Sequence, residues 1–223
     1  MARDIAIQTI HGTIDGWRAD PPHVPPRAGL VVVQEIFGVN AHMRSVVERY
    51  AAEGFAAIAP AMFDPVARHV ELDYDEAGFT RGRELAGELG FDRAVTLVDA
   101  AARILAGDGL KVGVVGFCWG GSVAYLANTR LGLPAVSYYG ARTVPFLAES
   151  LRAPMQFHFG ALDTSIPAED IDRHRSAHPD SELFVYDDAG HAFNRDVDSD
   201  HYAPAAATLA HRRALTFLRK ALA

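Results

Sequence analysis

Six consecutive residues, Gly116-Phe117-Cys118-Trp119-Gly120-Gly121, hold the only cysteine of the chain inside the pattern Gly-x-nucleophile-x-Gly. That pattern marks a strand reversing sharply into a helix, with the central side chain lifted out at the turn. A thiol placed there faces the positive end of the helix dipole, which favours the thiolate. The chemistry on offer is attack by sulfur. The alternative is an inert core cysteine, because a lone Cys often behaves as a small buried hydrophobe. The glycines do not form G-x-G-x-x-G, and no G-x-x-x-x-G-K-[ST] occurs in the chain, so a nucleotide-binding turn does not account for them.

A thiol nucleophile needs a base and an acid to orient that base. On sheets carrying such an elbow these follow in chain order on loops beyond the C-terminal ends of parallel strands. Gly160-Ala161-Leu162-Asp163 follows one strand pattern and Ala189-Gly190-His191-Ala192-Phe193 follows the next, so Cys118, Asp163 and His191 are expected to converge. Asp187 and Asp188 are rival acids; Asp163 is preferred because acid and base belong on separate adjacent loops. Of the 10 histidines, His158 lies inside a strand pattern and reads as core, while His174, His178, His201 and His211 read as surface. Glu35 ends the apolar run Val33-Gln34-Glu35-Ile36-Phe37-Gly38, where a carboxylate is costly unless paired. The backbone N–H groups of Ile36 and Trp119 stand where an oxyanion would be held. Zinc-type His/Glu motifs are missing and the single Cys rules out a thiolate cluster, so neither metal nor cofactor is expected.

These residues need strands to carry them. Strand patterns fall near 3–10, 29–34, 55–59, 111–116, 135–139, 154–160 and 182–187, and helical patterns near 40–53, 75–106, 119–129, 167–177 and 203–221. Alternation of the two predicts an α/β fold: a mostly parallel sheet with helices on both faces. The first strand is expected at an antiparallel edge. Pro21, Pro22, Pro25 and Pro26 form a stiff surface connection, and the polar stretch 64–90 suits either a solvated helix or a pocket wall.

A length of 223 residues suits one domain, 1–223, and 49% hydrophobic residues supply a large core. A net charge of −7, from 21 basic and 28 acidic residues, argues against a nucleic-acid groove but leaves room for a small anionic substrate. No apolar run is long enough to span a bilayer and no signal-peptide pattern opens the chain, so a cytoplasmic location without membrane association is expected. A monomer or weak homodimer is anticipated.

With Gln-Glu-Ile-Phe-Gly-Val-Asn (34–40), Gly-Phe-Cys-Trp-Gly-Gly (116–121), Gly-x-x-Asp (160–163) and Ala-Gly-His-Ala-Phe (189–193) in order, the sequence closely resembles the dienelactone hydrolase family over almost its full length. The resemblance implies an α/β-hydrolase fold without a large cap domain, a Cys118-His191-Asp163 triad and opening of a lactone ester in a small carboxylate-bearing substrate. It also implies that Glu35 contacts the resting thiol and takes its proton when substrate binds. Arg81 and Arg195 then grip the substrate carboxylate, in a pocket that includes Phe37, Leu85 and Ala192. The chain departs from the family at Leu85 and Glu88, where a Tyr and a Trp are usual, at Ala192 in place of a serine, and at Trp119 in place of a smaller apolar residue. These departures leave two alternatives: a related small-ester or thioester hydrolase, and a non-catalytic ligand-binding relative.

Overall fold

In the computed structural model, which describes residues 2–223, the chain opens with a hairpin where the pattern predicts one strand. Strand β1 (Ala2–Thr9) pairs antiparallel with β2 (Gly12–Ala19), and Gly12 takes the positive φ of 98° that the tight connection requires. Gly12, Asp15 and Gly16 hide β2 from a pattern reading, because those residue types are depleted in strands. A Cβ on Gly16 would lie 2.8 Å from the Ile7 side chain, so the glycine lets the two strands cross closely. The prolines at 21–26 therefore lead into the third strand.

The remaining strands are β3 (Ala28–Val33), β4 (Phe55–Pro60), β5 (Val112–Phe117), β6 (Ala135–Tyr138), β7 (Met155–Gly160) and β8 (Glu182–Tyr186). Strands β3 to β7 contain no exposed residue, as a sheet covered on both faces demands. The spatial order is β1-β2-β4-β3-β5-β6-β7-β8, antiparallel for β1 with β2 and β2 with β4 and parallel from β4 to β8.

Among the described residues five α-helices complete the fold, α1 (Ala41–Ala52), α2 (Glu76–Gly107), α3 (Trp119–Leu131), α4 (Ala168–Ala177) and α5 (Pro204–Ala221), with a single 3-10 turn at Val144–Phe146. Asn40 and Asp75 cap α1 and α2 by accepting from Met43 N and Gly78 N. The predicted continuous helix 75–106 is broken: Gly90, with φ 72° and ψ 161°, interrupts α2 and redirects the chain at Phe91. Paired residues of parallel strands point to the same face. Gly29, paired with Val112, meets Leu105 of α2, whereas Gly113, paired with Leu30, meets Leu218 of α5, so α2 and α5 cover opposite faces. Tyr50 of α1 packs on His211 of α5, and α2 packs on α3, which completes the two layers.

His174 and His178 are not on the surface. Both are buried, with His174 Nε2 bonded to Thr143 Oγ1 and His178 Nε2 at 2.9 Å from Tyr125 Oη. Burial pushes both imidazoles below their ordinary value. His158 is a core residue, held between Tyr186 Oη and Gln156 Oε1, each at 2.8 Å. Among the described residues no helix is long and apolar enough to cross a membrane.

Candidate active site

Strand β5 ends at Phe117 and α3 begins at Trp119, leaving Cys118 alone to make the reversal. Its backbone takes φ 55° and ψ −122°, a conformation costly for any residue with a side chain and held here by its surroundings. The flanking glycines explain how. A Cβ on Gly116 would sit 1.8 Å from Gly120 O, and one on Gly120 would sit 2.3 Å from Gln34 O and 2.5 Å from Val33 O. The elbow thus packs backbone to backbone against the end of β3, which is where Glu35 and Ile36 emerge. Cys118 N donates to Tyr138 O at 3.0 Å, tying the elbow to β6 as well.

The structure brings Cys118, His191 and Asp163 into one line of contacts. Cys118 Sγ lies 3.1 Å from His191 Nε2, and His191 Nδ1 lies 2.7 Å from Asp163 Oδ2. The Asp163 side chain is fully buried, and its other oxygen accepts from Ser165 N at 2.8 Å. The two loops are laced together by Ala161 N to Tyr186 O and Leu162 N to Ala189 O, both 2.9 Å. Asp187 and Asp188 point to solvent and do not compete for the imidazole. Burial pulls the His191 imidazolium down, but the charge of the Cys118 sulfur, the two hydrogen bonds and the Asp163 carboxylate outweigh it, and His191 is pushed up to about 10.

Trp119 opens α3, so its N–H is one of the first-turn donors that no carbonyl of the helix accepts. Ile36 lies in the turn after β3, braced from behind: a Cβ on Gly82 of α2 would sit 2.2 Å from Ile36 O. Gly38, with φ 83°, allows a closer approach still, since a Cβ there would sit 1.8 Å from Val70 O, and Leu72 N donates to Phe37 O at 2.9 Å. The expected oxyanion turn is therefore clamped between α2 and the 70–72 segment.

Glu35 is placed differently from the expectation. It does not contact the thiol; its two oxygens take Arg195 Nε at 3.0 Å and Nη2 at 3.1 Å. Arg195 Nη1 donates to Asp198 Oδ2 at 2.9 Å, and the guanidinium carbon lies 4.3 Å from the Tyr74 ring centre and 5.1 Å from that of Phe37. Burial works against this guanidinium, yet the Glu35 charge and hydrogen bonds win and hold Arg195 above its ordinary range. Arg81 sits on exposed α2, its side chain half-exposed and bonded to Glu84 at 3.0 Å. Each arginine is thus engaged with carboxylates of the protein itself, Arg195 with Glu35 and Asp198 and Arg81 with Glu84.

Among the wall residues, Phe37 packs under Arg195 rather than lining open space. Leu85 is fully buried and presents no surface to a ligand, because its stretch of α2 turns that side chain into the core. Ala192 is 1% exposed and carries a positive φ of 61° beside His191. Trp119 lies between Phe63, at 5.7 Å, and Phe91, at 6.2 Å, the residue that the Gly90 break turns inward.

Two residues of the site, Tyr139 and the Asp198 that holds Arg195, carry no motif that points to them. Tyr139 follows β6 with φ 39°, is 1% exposed, and sets its ring against His191 at 5.1 Å and 60°. Burial first, then the Glu35 charge, push its phenol well above the ordinary value, which keeps it neutral beside the sulfur. The available signal is topological: Phe117 pairs with Tyr138, the last residue of β6, so Tyr139 just beyond it flanks Cys118.

A mostly parallel sheet with the Gly-x-Cys-x-Gly turn at its centre, and His191 and Asp163 on the loops beyond β8 and β7, is an α/β-hydrolase fold, with no cap domain among the described residues. The chain belongs to the dienelactone hydrolase family, whose model matches residues 14–222. A carboxymethylenebutenolidase of Pseudomonas putida is 34% identical over 231 residues, covering 98% of this chain and 96% of that one. A solved structure from Klebsiella pneumoniae subsp. pneumoniae has a TM-score of 0.89 at 28% identity, covering 99% of this chain and 98% of its own. A dienelactone hydrolase-like promiscuous phosphotriesterase from metagenomic libraries shares the fold, with a TM-score of 0.81 at 20% identity and 100% and 99% coverage. The family and these relatives make the chain a carboxylic ester hydrolase, acting on lactone or ester bonds.

Proposed function

We propose that the chain is a cysteine-dependent hydrolase of small lactones and esters, with Cys118 as nucleophile, His191 as acid and base, and Asp163 as the group that orients His191. The observation that carries the reading is the continuous contact from sulfur to imidazole to buried carboxylate, 3.1 Å and 2.7 Å long. Cys118 sulfur attacks the acyl carbonyl. The Ile36 and Trp119 amides receive the oxyanion, each worth about 3 kcal/mol if lost. His191 delivers its proton to the leaving oxygen as the carbon–oxygen bond breaks, and then takes a proton from the water that cleaves the thioester. In a lactone the leaving oxygen stays tethered to the acyl chain, so a single hydroxy acid, or its keto form, is released.

In the arrangement present, His191 and not Glu35 faces the thiol, so Glu35 could take the thiol proton only after leaving Arg195. A carboxylate-bearing lactone read by Arg81 and Arg195 is the substrate the family resemblance suggests. Arg195 gives three of its five N–H groups to Glu35 and Asp198, so a carboxylate gripped there would share the guanidinium with them.

Replacing the sulfur tests the chemistry. Cys118→Ala is expected to lower turnover of a lactone and of an aryl ester by at least about 10³-fold with the fold intact by circular dichroism. Ordinary turnover by the folded variant would overturn the reading.

A further inference from the structure

Beside the loop that carries His191, α1 and α5 leave between them a cavity of about 170 Å³ that takes in none of the catalytic contacts described above. Its walls are partly apolar, from Val46 of α1, Ala207 of α5 and Phe117 at the end of β5. Among the described residues that line it, Arg49 is the one charged side chain, and no carboxylate is present. The hydrogen bond of the Arg49 guanidinium within the described residues runs from Nη1 to Asp196 Oδ2 at 3.0 Å, which leaves its other N–H groups without an acceptor on the protein. Asn194, on the His191 loop, also lines the cavity; it is 8% exposed, and its amide side chain has no hydrogen-bond partner among the described residues. His211 packs on Tyr50 at 5.3 Å in the same wall. Burial, and then the charge of Arg49, hold its imidazole below the ordinary value, so at neutral pH it is uncharged and offers one donor.

A buried side-chain amide without a partner is unusual, because it forfeits the hydrogen bonds it makes in water. Here it shares one cavity with the free donors of a cation and of a neutral imidazole, and such a set selects an anionic head. An ammonium would be repelled by Arg49. The apolar walls select a tail, which water and inorganic phosphate lack. A cavity of about 150 Å³ takes a molecule the size of benzene, so the tail is short, about three or four carbons beyond the head. We infer that the space between α1 and α5 is a second ligand site, separate from the catalytic one, for a short-chain aliphatic carboxylate. Arg49 and Asn194 hold the head, and Val46, Phe117 and Ala207 receive the tail.

Calorimetric titration of the native protein with pentanoate, at neutral pH and fixed ionic strength, is expected to give a Kd of about 1 mM or tighter. Pentanamide keeps the tail without the charge and should bind at least about 10-fold more weakly, with inorganic phosphate no better than pentanamide. Alkylating Cys118 with iodoacetamide obstructs the catalytic end and is expected to leave pentanoate binding unchanged. Ala207→Leu, which fills the cavity, and Arg49→Gln are each expected to weaken it at least about 10-fold in protein shown to be folded by circular dichroism. The native protein gives a readout that needs no folded cavity variant: the imidazole Cε1–H resonance of His211, identified by its absence from His211→Gln, should shift as pentanoate is added. Pentanamide or phosphate binding as tightly as pentanoate, loss of binding on alkylation, undiminished binding by folded Ala207→Leu, or an unmoved His211 resonance would each overturn the inference. Absence of pentanoate binding would overturn it as well and leave water as the occupant of the cavity.

Discussion

The sulfur side of the site and its arginine side solve opposite problems. Cys118 and His191 remain partly exposed, joined through a single hydrogen bond, and only Asp163 behind them is sealed from water. Glu35 and Arg195 are sealed together, bonded twice to each other and once more to Asp198. A reacting pair has to exchange a proton, so its members need reach and solvent; a supporting pair has to stay in place, so its charges need partners on every side. Function on the sulfur side is therefore sensitive to small electrostatic changes, while the arginine side is sensitive to the loss of whole groups.

The largest effect should come from the sulfur side. Asp163→Asn keeps the shape but removes the charge and reverses the hydrogen-bond preference at His191 Nδ1, and it is expected to lower kcat/KM by about 10³-fold. It should also move the pH profile. His191 in the native protein keeps its proton to about 10, so the imidazolium is present and the basic limb falls only as pH rises through that value. The same raised value means that the ion pair stabilises the fold fully below about 6.5, the ordinary imidazole value, and that this contribution is lost as pH rises through about 10. Loss of the Asp163 contribution shifts the basic limb to lower pH. A basic limb at the same pH in the variant would show that the carboxylate does not govern the imidazole.

The arginine side should respond in stability. Arg195→Met leaves Glu35 buried and unpaired, which is expected to cost about 3 to 4 kcal/mol and lower the melting temperature by about 10 °C. Adding Glu35→Gln should restore part of that loss, because the uncompensated charge is then gone. Thermal unfolding of the two single variants and the double variant measures the coupling directly, and strictly additive losses would mean that the pair is not one unit.

The two sides also differ in how far the sequence discloses them. Cys118, Asp163 and His191 each follow an apolar strand pattern on a short loop, so motif and topology together were enough to place them at one edge of the sheet. Glu35 was readable as a buried carboxylate needing a partner, but the partner's separation of 160 positions carries no periodic signal. Asp198 belongs to no motif or periodic pattern, and Tyr139 sits in the apolar tail of a strand; only the fold turns them toward the site. The missed strand β2 and the break at Gly90 share one cause. Glycine weakens a strand pattern and is tolerated in a helical one, and tertiary packing decides what it does. His174 and His178 were misplaced because each looks polar in sequence yet finds a hydroxyl in the core.

Arg81 supplies the smallest effect and the sharpest contrast with Arg195. The two were expected to act together, yet Arg81 holds only Glu84 three residues along the same helix, with side chains 50% and 60% exposed. Such pairs are screened by water and salt and hold long side chains at an entropic cost, so Arg81→Ala should change stability by less than about 0.5 kcal/mol. Urea unfolding of Arg81→Ala beside Arg195→Met would show that difference, with an unchanged slope for Arg81→Ala. A loss from Arg81→Ala approaching that from Arg195→Met would mean that Arg81 is built into the site as firmly as its buried counterpart, and the division of the molecule into a locked arginine and a loose one would fail.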